Sequence, residues 1–156
     1  MAEPPSGPRY APPAPDGRQS ETALGVQRGV CRMFRSMGFA VLPEFVLASG
    51  RRADIIAMDP KGLLWIVEIK SSLADYRADS KWREYKDYCD RFCFAIPHLM
   101  EPSIIPEEVG LIVADAYGAE VLRQVADHPL HASRRRAVSL QFARVAADRL
   151  HGLWDP

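Results

Sequence analysis

Apolar residues at Ala23, Val26, Val30, Phe34 and Met37 recur at three- and four-residue intervals, the spacing of one face of a helix. Ser20 is a suitable N-cap and Glu21 places a carboxylate in the first turn, where the helix dipole favours it. Gly38 is suited to end the run, so a helix is predicted over roughly 21–37. The pattern then changes. Residues 39–47 are rich in Val, Leu and Phe and predict a strand, with Pro43 arguing for an edge position or a bulge. Arg52 to Met58 is a second strand and Leu63 to Lys70 a third. Asp59-Pro60-Lys61-Gly62 is the turn between them, so the three form an antiparallel meander.

A polar, aromatic stretch begins near Ser71-Ser72 and predicts a second helix reaching about Asp90. Phe92 to Ile96 predicts a strand stopped by Pro97. Gly110 to Asp115 and Glu120 to Val125 predict two more, joined by Ala116-Tyr117-Gly118. Ser133 to Leu150 closes the chain as a helix with Val138, Phe142 and Val145 on one face. This order predicts an α/β fold: one mixed sheet with helices against it. Six of the thirteen prolines lie in the first fifteen residues, so 1–19 is expected to be a disordered tail and 20–156 a single domain.

Composition narrows the function. Twenty basic residues balance twenty acidic ones, so no global cationic field draws nucleic acid, although a local patch would suffice. No apolar run approaches the roughly 20 residues of a membrane span, and no secretory signal is visible. Three cysteines without a Cys-x-x-Cys pair point to reduced thiols and a cytoplasmic location. The four histidines are too dispersed for zinc.

The candidate chemistry lies in the meander. Alternation puts Leu64, Ile66, Glu68 and Lys70 on one face of the third strand, with Glu68 and Lys70 about 7 Å apart by strand rise. Counting through the turn sets Asp54 opposite Val67, so a bulge or diagonal offset is needed to bring it beside Glu68. Unpaired charges in such apolar strands cost several kcal/mol, which a bound cation offsets. Asp54 and Glu68 are hard oxygen ligands suited to Mg²⁺ or Mn²⁺, with the backbone carbonyl of Ile69 as a further donor. Lys70 is placed to orient a water or to stabilise charge on a phosphate. The plain alternative is a solvated hairpin face with weak ion pairs.

Asp54, thirteen intervening residues and Glu68-Ile69-Lys70, in the order helix, three strands, helix, strand, resemble the PD-(D/E)XK nuclease superfamily over about residues 20–97. Ala53 stands where that pattern often has proline. A wider set looks like the bacterial MmcB family of DNA repair proteins. It comprises Arg28-Gly29-Val30-Cys31-Arg32, Gly50-Arg51-Arg52-Ala53-Asp54, Val67-Glu68-Ile69-Lys70-Ser71-Ser72, Lys81-Trp82, Tyr85, Tyr88-Cys89-Asp90 and the run Gly110 to Glu120. The resemblance implies a restriction-endonuclease-like core, DNA as partner and metal-dependent phosphodiester hydrolysis in DNA repair, with Asp54, Glu68 and Lys70 catalytic. It also makes Glu21 a candidate to complete the metal site.

Other residues have two readings each. Glu44 competes with Glu21 for the metal, but a solvent-facing strand position is the plainer account. Arg51, Arg52, Lys81 and Tyr85 are candidates to hold the DNA backbone, while Trp82 and Tyr85 equally suit the core. Arg134-Arg135-Arg136 sits in the first turn of the last helix against the dipole preference, as a solvated run or as the seat of an anionic partner. A non-catalytic DNA-binding or scaffold module is the alternative function, and RNA the alternative substrate. A domain this small leaves room for a second copy or a repair protein to complete a DNA-binding surface.

Overall fold

The computed structural model describes residues 20–124 and 127–156. The tail expected over 1–19, and Val125 at the end of the sixth expected strand, lie outside the described residues. One six-stranded sheet runs in chain order: β1 (Ala40–Val46), β2 (Arg52–Met58), β3 (Leu64–Ile69), β4 (Arg91–Pro97), β5 (Gly110–Ala114) and β6 (Ala119–Arg123). The first three strands form the expected antiparallel meander. β3, β4 and β5 are parallel to one another, and β6 returns antiparallel. Every residue of β3 is buried, as a strand covered on both faces requires.

Helix α1 (Glu21–Ser36) covers one face, and its Val26, Val30 and Phe34 pack on Ile55, Trp65, Val67 and Ala95. Ser20 caps it by accepting the amide of Ala23 at 3.1 Å. Gly29 permits the close approach of this helix: a Cβ there would stand 1.9 Å from the Asp115 carbonyl oxygen. The other face carries α3 (Ala132–Trp154), which is longer than the expected 133–150, and a 3₁₀ segment, Trp82–Tyr88. Among the described residues no helix is long and apolar enough to cross a membrane.

The continuous second helix expected up to Asp90 does not form. Helix α2 spans only Leu73–Ala78 and stops where Asp79 turns extended, its Oδ1 accepting the Lys81 amide at 2.9 Å. The chain resumes as the 3₁₀ segment, whose i, i+3 residues eclipse, and this sends Trp82 and Tyr85 into the core together. Both rings stack on Phe92, at centroid distances of 5.6 and 6.0 Å.

Asp90, 1% exposed, ties three distant segments. Its carboxylate accepts the amides of Leu64 at 2.8 Å and Leu130 at 3.0 Å, and both arms of the Arg135 guanidinium. Arg135 thus has a structural reason to sit in the first turn of α3, against the dipole.

Candidate active site

The last residues paired between β2 and β3 are Ile55 and Val67, so one step further sets Asp54 across from Glu68. Counting from the sequence had set Asp54 against Val67. The turn is one residue longer than its four signature residues: Asp59 pairs its amide with the Leu63 carbonyl and accepts the Lys61 and Leu63 amides on Oδ1. Side-chain alternation also slips here. Ala53 and Ile56 belong to the core under α3, Ile55 and Ala57 to the core under α1. Across from Asp54, Glu44 takes a left-handed backbone with φ 52°.

The two carboxylates lock onto each other's backbone. Glu68 Oε1 accepts the Asp54 amide at 3.1 Å, and Asp54 Oδ2 accepts the Ile69 amide at 2.8 Å. Among the described residues the second oxygen of each accepts no hydrogen bond. With Ile69, Lys70, Ser71 and Asp75, and with Ser20 and Ala23 from the start of α1, they line a cleft of about 440 Å³.

Burial raises the Asp54 carboxyl to about 6, with the Glu44 charge adding to it and the Ile69 amide and Lys70 opposing. Burial also holds Glu68 well above the usual carboxylate range, and the Asp54 charge pushes the same way. Such a pair holds its protons to higher pH than free carboxylates do, and a cation between them would oppose this. Lys70, 6% exposed, lies with Nζ 2.8 Å from Asp79 Oδ2. Burial alone would lower its pKa, but the bond to Asp79 and the charges of Asp79, Asp75 and Glu68 outweigh that, so it is raised and Lys70 is an ammonium.

Glu21 is exposed, and the α1 wall of the cleft is Ser20 and Ala23 instead. Glu44 is not the solvent-facing residue that strand alternation suggested. Its Oε1 accepts Gln27 Nε2 at 3.0 Å, and Arg52 Nε lies 2.6 Å from Oε2 as an ion pair. Arg51 pairs with Glu84. Tyr85 is a core residue whose hydroxyl donates to the Arg52 carbonyl at 3.1 Å, while Lys81 is exposed just beyond Asp79. Gln27 has no distinguishing sequence signal, since its partner stands seventeen residues away, whereas Asp79 falls in the polar, aromatic stretch that follows Lys70 and is suited to position it.

The sequence matches the family model described as DNA repair protein MmcB-like over residues 10–156. The chain belongs to the MmcB-like DNA repair family. This MmcB-like chain is also similar to the SPO1766 protein of unknown function from Silicibacter pomeroyi. The two are 41% identical, with 88% of this chain and 94% of that one covered and a TM-score of 0.84. No curated protein matches the chain. Membership of the MmcB-like family points to a role in DNA repair and to interaction with DNA.

The donor set suits a hard divalent cation. Among the described residues no cluster of three His, Cys, Asp or Glu side chains gathers. Mg²⁺, which keeps several waters and uses one or two carboxylates with substrate phosphates, needs no more than the pair present.

A carboxyl whose pKa is raised from 3.8 to about 6 on folding stabilises the fold below its unfolded value and loses that contribution as pH rises through this window. Asp54→Asn is therefore expected to stabilise the metal-free protein at pH 7.5 by about 2 kcal/mol, roughly 5 °C in Tm. Thermal unfolding in EDTA from pH 3.5 to 8 checks this, and the gain should vanish at the acid end.

Proposed function

We propose that this chain hydrolyses phosphodiester bonds in DNA during repair, using a PD-(D/E)XK-type site in which Asp54, Glu68 and the Ile69 carbonyl hold Mg²⁺ or Mn²⁺. The observation that carries this reading is the buried convergence of two carboxylates of raised pKa and one ammonium on an open cleft. When bound, the cation would polarise a phosphoryl oxygen and acidify a water. The free oxygens of Asp54 and Glu68 face that role, while their other oxygens hold the strand ends rigid. Lys70 stays protonated and so acts as a donor, orienting a water or neutralising charge on the phosphate rather than taking a proton. Asp79 is the positioning residue that holds it. Incubating the protein with Mg²⁺ or Mn²⁺ and single-stranded, branched or lesion-bearing DNA, beside matched RNA, tests the proposal. Intact DNA in every case would defeat it.

A non-catalytic DNA-binding module is the second reading. It is favoured by one observation: the ammonium of Lys70, the candidate catalytic lysine, is already paired with Asp79. DNA affinity without any cation bound at Asp54 and Glu68 would select it.

A further inference from the structure

The basic cluster of α3 is only partly explained by the fold. Arg135 is spent on Asp90, but Arg134 forms no ion pair among the described residues. Its guanidinium lies 4.6 Å over the Tyr88 ring, leaning towards the 3₁₀ segment. There Lys86, also without a carboxylate partner among the described residues, stands 5.2 Å from the Trp82 ring. With His128, Pro129, Leu130 and His131, these two cations line a pocket of about 320 Å³ whose one carboxylate is Asp87. Asp90 fixes the lining loop, its carbonyl accepting the His128 amide at 2.7 Å and its carboxylate the Leu130 amide at 3.0 Å.

We propose that this pocket between the 3₁₀ segment and the start of α3 binds a phosphodiester group of the DNA backbone, as an anchor remote from the cleft. A guanidinium fork and an ammonium, each held over an aromatic ring, match the oxygens of a phosphodiester and read no base sequence. The placement suits a long ligand. Asp90 pairs its amide with the Leu64 carbonyl at the start of β3, whereas the cleft lies at the end of that strand. Six strand residues span about 20 Å, roughly six base pairs of duplex. The anchor rests on DNA being the partner and is independent of whether the cleft cleaves it.

The test is binding of a fluorescent DNA duplex to the full chain in EDTA, with salt varied. Lys86→Gln with Arg134→Gln is expected to weaken binding about tenfold and to cut the slope of log K against log salt by about two. Lys61→Gln, in the β2–β3 turn, should change neither, and thermal unfolding verifies that the double variant folds. A wild type that binds the duplex in EDTA with the expected salt slope but cleaves nothing with Mn²⁺ leaves the anchor standing, so the two readings fail separately. Unchanged affinity and slope in the double variant would overturn it, as would a wild type without DNA affinity. Displacement of the duplex by inorganic phosphate at equal phosphate concentration would also overturn it, in favour of a free-anion site.

Discussion

Asp54→Ala is expected to reduce Mg²⁺-dependent DNA cleavage below detection, and Lys70→Ala to slow it by about 10²–10³-fold. The two losses have different causes. Asp54 supplies one of the two carboxylates that converge on the cleft from β2 and β3, and its removal frees the Ile69 amide that fixes the end of β3. Lys70 supplies positive charge where a phosphate would sit, and its loss strands Asp79 without its cation. Lys70→Ala should therefore bind the cation as wild type does and fail in turnover, whereas Asp54→Ala should fail at both. Cleavage of labelled DNA at saturating Mn²⁺, with calorimetry on the same variants, separates the cases. Equal cleavage by Lys70→Ala would remove Lys70 from the chemistry.

The largest effect on stability is expected away from the cleft. Asp90→Ala should cost about 3–5 kcal/mol, because it leaves the Leu64 and Leu130 amides unpaired and strips Arg135 of its buried partner. Denaturant unfolding measures this, and a loss below about 1 kcal/mol would contradict the assignment of Asp90 as the tie between β3, β4 and α3. Burial alone would raise the Asp90 pKa, but the Arg135 bonds and the two amides outweigh it, so the folded value is depressed. Its contribution is present above the ordinary carboxylate range and is lost as pH falls through the depressed value. Acid unfolding should begin there, while the raised pair at Asp54 and Glu68 acts in the opposite sense.

What was legible in the sequence was local. The α1 face, its Ser20 cap and the antiparallel meander follow from periodicity and turn residues, and the Asp54, Glu68, Lys70 spacing brought the site residues to one hairpin. The break in the second helix was not legible, because no glycine or proline marks it. It is made by Asp79 reaching back to Lys70 and by Trp82 and Tyr85 needing the same side of Phe92. The direction of β4 was equally hidden, since a short apolar run packs parallel or antiparallel alike. Glu44 escaped because alternation slips at its left-handed backbone, and Arg135 because its carboxylate lies 45 residues away.

Calorimetric titration of Mn²⁺ into the wild-type protein and into Asp54→Asn is the most direct test of the cation site on which the proposed chemistry depends. The carboxylates of Asp54 and Glu68 predict a single site in the wild type that releases protons as pH approaches about 6 and disappears in the variant. A wild type that binds no Mn²⁺, or a variant that binds it equally well, would contradict it.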